Sequence, residues 1–578
     1  MSNTFDVVVV GSGSAGMMAA LRAADHGLRV LMVEKAHKYG GTSATSGGGI
    51  WMPNHGLTET TDSRDQALQY IAAVSRGAVR RDRQEAYVDT CPLVVRYLTE
   101  VGVKLYVLIG YTDYYPALPG AREDRSVLTV AMDGGELGDE FHTMREQFPR
   151  FKLFNRYAFD IDQLYSISTR AKGWQWVALK MITRYWLDRD WRKKTQRDRR
   201  LTMGAALIGG LRKALIARNV PLWLGTGLEQ LIVNEGRVTG VELSRFGRRF
   251  KVEARHGVVI ASGGFEWNQS LRDKYMEFPT VAKWSTTPEE GNKGEATIAG
   301  QAIGAATEFM NCAWWAPTML MPIESFSNME SSHQAIFDVG RPHSICVNRN
   351  GVRFGDEACG YDQFGINMLN DHRATGANLP CWAVFDTNHR NKFTCGGILP
   401  PPLMPDSKIP PSWWDHYIFK ADSIAALAGK IGINPAALVA TVERFNGFSK
   451  AGVDTDFGRG GNSYDRFFGD PSVTPNPCLG EIATGPFYAV PINLGDLGTK
   501  GGLKTDARGR VLDLADRPIP GLYAAGNASG AVWGDAYPGS GGTIGPAMVF
   551  GYLAAEDIAQ RKNSSASNNL EAVLATPS

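Results

Sequence analysis

The chain begins with an uninterrupted apolar run, Val7–Val10, directly before Gly11. A run without alternating polar positions predicts a strand that is buried on both faces, as in a parallel sheet. An alanine-rich stretch from Ala15 to His26 has the composition of a helix, and Gly27 follows where a helix C-cap is expected. A second short apolar run, Val30–Glu34, predicts the next strand. This order predicts an α/β fold that begins with a parallel β-α-β unit.

Three glycines where the first strand passes into the helix have distinct roles. Gly11 permits the sharp turn, Gly13 lets a pyrophosphate approach the backbone, and Gly16 lets helix and strand pack closely. The helix N-terminus offers free N–H groups and the positive end of a dipole to phosphates. Glu34 is placed to accept hydrogen bonds from ribose hydroxyls and would repel a 2′-phosphate. The pattern therefore predicts a dinucleotide site that disfavours NADP, in preference to a purely structural turn.

Three further glycine-rich segments lie far apart, at Gly40–Trp51, Val258–Phe265 and Gly521–Asn527. Glycine lets the backbone approach a ligand closely. One such segment suffices for an NAD that is released, whereas several distant ones indicate an extended ligand that is permanently held. We therefore expect FAD, bound non-covalently because no attachment motif is evident. The residues predicted to contact it are Gly11, Gly13, Ser14, Ala15, Gly16, Glu34, Lys35, Gly41, Thr42, Ser43, Gly47, Gly48, Gly263, Gly526, Asn527, Gly542, Thr543 and Ile544.

Glycine-rich segments at both ends of the chain predict a discontinuous cofactor domain. We assign residues 1–315 and 490–578 to a Rossmann-type FAD-binding domain, and residues 316–489 to an inserted α+β substrate or catalytic domain. Within the insert, Asn350-Gly351 predicts a hairpin turn, so that Ser344–Glu357 is expected to form strand, turn and strand.

Composition excludes several other classes of protein. The net charge of +2 gives no electrostatic basis for nucleic-acid binding. The seven cysteines are scattered without a CxxC pair, which argues against disulfides and structural zinc and fits a reducing cytoplasm. No HxxH or paired-acid spacing suggests a metal site. The first strand starts too close to Met1 for a signal peptide, and no apolar run of about twenty residues predicts a spanning helix.

Tyrosines in three further motifs indicate the family. Tyr111-Thr-Asp-Tyr114-Tyr-Pro116, Gly351-x-Arg-Phe-x-Asp-Glu357 followed by Tyr361, and Tyr537-x-x-x-Gly541 accompany the glycine-rich segments. Together they resemble the flavoproteins that include fumarate reductases and 3-ketosteroid dehydrogenases, and within that group the 3-ketosteroid Δ1-dehydrogenases, over nearly the whole chain. The resemblance implies a 3-ketosteroid substrate and an electron acceptor such as a quinone.

The motif residues suit the removal of a proton and a hydride from neighbouring carbons beside a ketone. The Tyr537 hydroxyl and the Gly541 N–H can hold the carbonyl oxygen, and each such donor is worth roughly 3–4 kcal/mol. By the resemblance, Tyr361 is the base that takes the C2 proton, and Tyr114 hydrogen-bonds it and favours its ionised form. The C1 hydride passes to the flavin. Tyr111 and Tyr115 remain alternatives to Tyr114.

Three rival functions use the same fold. A fumarate reductase must hold two carboxylates with arginines and histidines. The segment after Glu357 reads Ala-Cys-Gly-Tyr and has neither, which disfavours this function. A 3-ketosteroid Δ4-(5α)-dehydrogenase keeps the steroid and oxidises the C4–C5 bond. A non-catalytic scaffold of the Rab-escort type is disfavoured because Glu34 and the phosphate-approach turns are intact.

The segment from Gly173 to Arg200, within a longer insertion at residues 160–200, has both aromatic and basic residues. Its helical stripe comprises Trp174, Val177, Ala178, Met181, Ile182, Tyr185 and Trp186. Lys180, Arg184 and Arg189 lie beside or opposite that stripe, and Trp191 precedes more basic residues. Tryptophans with a basic face predict an interfacial helix that associates peripherally with the inner face of a membrane. Packing on the protein core, or a subunit contact, is the alternative.

Overall fold

The computed structural model describes residues 3–58, 62–148, 151–168, 171–322, 331–401 and 403–574. The strands in chain order are β1 (Thr4–Val10), β2 (Val30–Val33), β3 (Ile50–Trp51), β4 (Leu105–Val107), β5 (Ser126–Thr129), β6 (Met132–Asp133), β7 (Lys152–Leu153), β8 (Tyr157–Ala158), β9 (Arg200–Leu201), β10 (Leu222–Trp223), β11 (Thr226–Asn234), β12 (Arg237–Arg245), β13 (Arg248–Ile260), β14 (Thr307–Glu308), β15 (Ala313–Met321), β16 (Ser331–Gln334), β17 (Ser344–Val347), β18 (Cys381–Phe385), β19 (Phe419–Ala421), β20 (Phe487–Thr499), β21 (Gly502–Leu503), β22 (Arg510–Leu512) and β23 (Pro518–Ala524).

The helices in chain order are α1 (Ser14–Asp25), α2 (Gly41–Thr45), α3 (Arg64–Ser75), α4 (Arg81–Glu100), α5 (Glu140–Thr143), α6 (Ile161–Ser168), α7 (Trp174–Leu187), α8 (Arg189–Arg192), α9 (Met203–Ala217), α10 (Gln269–Tyr275), α11 (Glu295–Ala302), α12 (Tyr361–Thr375), α13 (Thr387–Lys392), α14 (Ile424–Lys430), α15 (Pro435–Ala451), α16 (Ser463–Phe467) and α17 (Ile544–Leu574).

An eight-stranded sheet is built from both ends of the chain. Its main order is β10-β2-β1-β13-β12-β11, and β23 joins it through β13, with β22 beside β23. Strand β1 pairs in parallel with β2 and β13, and β13 pairs in parallel with β23. Val7–Val10 are buried, and α1 packs against α9 and α17 on one face of this sheet. The predicted α/β class and the opening β-α-β unit are confirmed.

A second, antiparallel sheet lies in the middle of the sequence. Its order is β16-β15-β20-β18-β17, with β19 also paired to β20. The domain boundaries given above, 315/316 and 489/490, fall inside β15 and β20. Because these two strands pair with each other, the sheet includes residues on both sides of each boundary.

Of the strand–turn–strand expected at Ser344–Glu357, the structure has the first strand, β17, but no strand after the turn. Strand β17 pairs with β18 rather than with the segment after the turn. Buried ion pairs hold that segment instead, because Arg353 lies 2.7 Å from Glu357 and 2.8 Å from Asp454, and Arg459 lies 3.2 Å from Glu357. The hairpin prediction was wrong in its second strand, since charged side chains satisfy one another there.

The 160–200 insertion, of which residues 169 and 170 lie outside the described part, contains α6, α7 and α8. Met181 and Tyr185 of the predicted stripe are buried in a small apolar cluster with Phe151, Tyr157, Phe159 and Met203, and Val177 and Ile182 pack against it. These four residues of the stripe therefore pack on the protein, whereas Trp186 of the stripe is 45% exposed. A different face of α7 exposes Trp176 (74%), Leu179 and Leu187 (70%). None of the described helices has the length and apolar character needed to cross a membrane.

Candidate active site

One cavity of about 1050 Å³ is lined by segments from both ends of the chain and from the middle. All four predicted catalytic residues and sixteen of the eighteen predicted cofactor residues line it. Gly16 and Gly542 do not. A Cβ on Gly16 would lie 2.1 Å from the Gly11 carbonyl oxygen, and one on Gly542 would lie 2.8 Å from the Tyr537 ring. These two glycines therefore permit close packing behind the cavity wall.

The dinucleotide end of the cavity has room where a phosphate would approach. A Cβ on Gly13 would meet only Ser43 Oγ, at 3.6 Å, and one on Gly47 would meet nothing within 4 Å. Gly13 also precedes α1, whose N-terminus faces the cavity through Ser14 and Ala15. Unfilled space before a helix N-terminus fits a pyrophosphate.

Glu34 is fixed at the cavity wall as a hydrogen-bond acceptor. One carboxylate oxygen accepts from the Ser12 hydroxyl at 2.6 Å and the Ser12 N–H at 3.2 Å, and the other accepts from the Ala36 N–H at 2.9 Å. Next to it, Lys35 lies 2.6 Å from Glu295. A carboxylate held in this way retains lone pairs for ribose hydroxyls. The donor set and the open glycine path fit FAD.

Three predicted catalytic tyrosines meet at the other end of the cavity, although they come from distant loops. The ring centroids are 5.5 Å apart for Tyr114 and Tyr361, 5.3 Å for Tyr114 and Tyr537, and 5.5 Å for Tyr361 and Tyr537. Tyr361 is the first residue of α12. The Tyr114 N–H donates to the Pro538 carbonyl at 3.0 Å, which joins two of the three loops.

Tyr111 and Tyr115, the alternatives to Tyr114, do not take its place. Tyr111 also lines the cavity, but its ring there contacts Tyr114, with the centroids 6.5 Å apart. The Tyr115 hydroxyl donates to Gln363 at 3.3 Å, and Tyr115 does not line the cavity. The geometry thus makes Tyr114 the neighbour of Tyr361.

Gly541 brings its backbone into the cavity beside these rings. Its φ of +92° lies in the region that favours glycine, and a Cβ there would lie 2.2 Å from the carbonyl carbon of Gly49. Within the described residues, no protein acceptor takes the Gly541 N–H. A free N–H beside a tyrosine hydroxyl can bind one carbonyl oxygen.

Comparison with known proteins identifies the family. The FAD binding domain family model matches residues 6–544. The 3-oxosteroid 1-dehydrogenase of Mycolicibacterium smegmatis is 40% identical over 572 residues, which cover 96% of this chain and 97% of the relative. This chain belongs to the 3-oxosteroid 1-dehydrogenase family. FAD is its cofactor, and the protein is an oxidoreductase.

The names of two other similar proteins indicate which kinds of substrate such enzymes use. The crystal structure of a 3-ketosteroid delta1-dehydrogenase from Sterolibacterium denitrificans, in complex with 1,4-androstadiene-3,17-dione, is similar with a TM-score of 0.93 at 42% identity, covering 97% of this chain and 100% of that chain. The 4-oxocyclohexanecarboxylate 2-dehydrogenase of Sinomonas cyclohexanicum is 36% identical over 578 residues, covering 96% of this chain and 93% of the relative.

Several lining residues of this 3-oxosteroid 1-dehydrogenase family member were missed by the sequence analysis. At the dinucleotide end they are Arg145, Thr286, Thr287, Asn292 and Glu295, and at the tyrosine end they are Leu108, Phe148, Phe151, Ile161, Phe337, Phe468 and Leu497. These residues come from separate loops and from single positions in α6, α11 and β20, so no pattern in one sequence could have related them to the cavity. The second group makes the tyrosine end apolar and aromatic.

Burial controls the ionisation of the tyrosines. It raises the pKa of Tyr361 well above the ordinary value, and the neighbouring Tyr114 and Tyr537 raise it further. Burial also raises the pKa of Tyr537, to about 12. Burial therefore opposes the ionisation of Tyr361 that was expected from a hydrogen bond with Tyr114, because an apolar surrounding disfavours the charged phenolate.

Proposed function

We propose that this protein is an FAD-dependent 3-ketosteroid Δ1-dehydrogenase, which introduces the C1–C2 double bond. The observation that carries the proposal is the meeting of Tyr114, Tyr361 and Tyr537 at the apolar end of the cavity, beside Gly541, whose N–H has no acceptor among the residues that the structure describes. A flat, hydrophobic ketone suits such a wall, since burial of its apolar surface contributes roughly 25 cal/mol per Å².

The tyrosine end of the cavity offers two donors that can bind the carbonyl oxygen of the substrate. The Tyr537 hydroxyl and the Gly541 N–H would donate to the C3 oxygen. As the C2 proton leaves, negative charge grows on that oxygen, and fixed donors stabilise it more than the neutral ketone. The C2 proton thereby becomes more acidic.

Tyr361 is the proposed base, and its phenolate oxygen takes the C2 proton. Because burial raises its pKa, the phenolate is a strong base that is present as a small fraction at neutral pH. When bound, FAD supplies the hydride acceptor that the C1–H bond requires. Tyr114 packs on Tyr361 and fixes its orientation.

Charged substrates fit the same site less well. Among the described lining residues, Lys35 and Arg145 are the cationic side chains, and each is paired with a carboxylate: Lys35 with Glu295, and Arg145 with Glu290 at 2.6 Å. A carboxylate substrate needs a dedicated cation. This favours a neutral ketosteroid over fumarate and over 4-oxocyclohexanecarboxylate.

We also propose that the protein works at the cytoplasmic face of a membrane and passes its electrons to a quinone or a similar acceptor. Helix α6 carries Ile161, which lines the cavity, and packs on α7. The outer face of α7 exposes Trp176, Leu179 and Leu187, with Lys180 and Arg189 exposed nearby. An apolar face with tryptophan and cations suits an anionic bilayer, from which both an insoluble steroid and a quinone could enter.

Turnover of androst-4-ene-3,17-dione tests the function directly. The purified protein should be yellow and, with an artificial electron acceptor, should convert this steroid to its 1,4-diene. Because the substrate already has its C4–C5 double bond, this product distinguishes Δ1 from Δ4 chemistry. We expect a much lower kcat/KM with 4-oxocyclohexanecarboxylate, and none with fumarate. Turnover of either acid in preference to the steroid would contradict the proposal.

Replacing Tyr361 by Phe should lower kcat by about 10²–10⁴-fold, because it removes the base and keeps the ring. Flavin absorbance and steroid binding, measured by titration, should stay near wild type. Tyr537→Phe should also lower kcat, by about 10²–10³-fold, through the loss of one donor to the oxyanion. The matched control is Tyr115→Phe, which removes a nearby hydroxyl outside the cavity. Near-normal turnover in Tyr361→Phe would mean that another group is the base.

The pH profile should report the raised pKa of Tyr361. The phenolate is the active form, and its pKa lies above the ordinary value of about 10, so its fraction grows tenfold per pH unit below that value. We expect kcat/KM to rise about tenfold per unit from about pH 7 to about pH 9 without levelling off. The residual rate of Tyr361→Phe should lack this slope. A plateau below about pH 8 would indicate a more acidic base.

Membrane association should depend on the exposed face of α7. Wild-type protein should co-sediment with anionic liposomes at low salt, and Trp176→Ser combined with Leu187→Ser should reduce the bound fraction severalfold while flavin stays bound. Leu514→Ser, which changes an 85% exposed leucine outside this segment, is the control. If wild-type protein does not co-sediment, the face has no role in membrane binding.

A further inference from the structure

Lys500 is a fully buried lysine immediately after β20. Its side chain is 0% exposed, and its ammonium lies 3.0 Å from each carboxylate oxygen of Asp362. It also donates to the Asp535 carbonyl at 2.5 Å. A buried ammonium is costly unless it is paired and hydrogen-bonded, and here three acceptors surround it.

The partners of Lys500 lie next to two of the tyrosines at the site. Asp362 directly follows Tyr361 in the first turn of α12, and Asp535 comes two residues before Tyr537. The backbone of Lys500 is fixed as well, because its N–H donates to the Cys312 carbonyl at 2.9 Å and its carbonyl accepts from the Ala531 N–H at 3.0 Å. One ammonium group therefore joins the helix that begins with Tyr361 to the loop that contains Tyr537.

Trp314 contacts both Lys500 and Tyr537 and so connects them a second time. The ammonium lies 5.0 Å from the centre of the Trp314 ring, and that ring lies 4.9 Å from the ring of Tyr537. The Trp314 N–H donates to Asn527 at 3.1 Å, which fixes the indole. A cation over an aromatic face is attractive, so Lys500 holds this ring in place too.

We propose that Lys500 is a positioning residue that sets the placement of Tyr361 relative to Tyr537. Because the base must reach C2 while the donor holds the C3 oxygen, the separation of the two hydroxyls must match the substrate, and a misplacement of about 1 Å can cost about 10²-fold in rate. This inference rests on the proposed function. The alternative is that the ion pair only stabilises the fold. Apolar side chains can replace a buried ion pair with little loss of stability. They cannot, however, restore the directed contacts of Lys500 with Asp362 and with the Asp535 carbonyl, so only a positioning role predicts that activity stays low after such a replacement.

The test compares Lys500→Met with the apolar double variant Asp362→Leu, Lys500→Met. We expect both to lower kcat about 10²-fold, with flavin content retained and with the KM for androst-4-ene-3,17-dione within about threefold of wild type. The single variant leaves a buried, unpaired carboxylate and should have a lowered Tm, whereas the double variant should recover most of that loss without recovering kcat. If the single variant does not fold, the kcat of the double variant alone distinguishes a positioning role from a purely stabilising one.

Arg390→Met is the matched control. Arg390 is also a buried cation, 3.0 Å from Asp406 and bonded to the Leu399 and Met404 carbonyls at 2.6 Å, but it contacts none of the tyrosines. It should lower Tm and leave kcat unchanged. A double variant with kcat within about threefold of wild type would overturn the positioning role. Failure of the proposed function would appear separately, as turnover of fumarate or 4-oxocyclohexanecarboxylate in preference to the steroid by the wild-type protein.

Discussion

The close approach of two backbone segments from opposite ends of the chain is the constraint on which this site depends. Gly541 lies so near Gly49 that a Cβ on Gly541 would be 2.2 Å from the Gly49 carbonyl carbon. On the other side of the same segment, a Cβ on Gly48 would lie 2.3 Å from the Gly204 nitrogen. Side chains at these positions would force the segments apart. Glycine therefore makes one continuous cavity possible, with the dinucleotide end at one side and the tyrosines at the other.

This constraint also explains why the polar groups at the tyrosine end are so strongly interconnected. Three loops meet there without a shared strand, so hydrogen bonds and ion pairs must fix their relative positions. The Pro538 carbonyl accepts from the Tyr114 N–H at 3.0 Å and from the Tyr70 hydroxyl at 2.6 Å. Asp113, beside Tyr114, accepts from Trp51 at 2.7 Å and from Arg125 at 2.8 Å. Each of these groups is buried, and each would cost free energy without its partner.

Features that depend on residues close together in the chain could be predicted from the sequence, whereas features that depend on distant residues could not. The β1-α1-β2 unit was predicted because its apolar run, glycines and acid lie within about thirty residues, and their roles are set by neighbours in the chain. The second strand after Asn350-Gly351 was predicted wrongly, because β17 pairs with β18 and Arg353 pairs with Glu357. For α7, the helical period identified a stripe, but no local pattern could say that Met181 and Tyr185 face the protein.

The convergence of Tyr114, Tyr361 and Tyr537 had a different basis, since only the family resemblance related residues so far apart in the chain. The resemblance could not give the sign of the pKa shift, which depends on burial. A phenol with a raised pKa is rarely ionised, yet its phenolate is a stronger base than an exposed one. In the proposed mechanism such a base is effective only if the substrate proton is also made more acidic, which two donors on the carbonyl oxygen would accomplish. The raised pKa of Tyr361 and the proposed donors Tyr537 and Gly541 would then be two parts of one requirement, and moving either group relative to the other would remove the benefit of both.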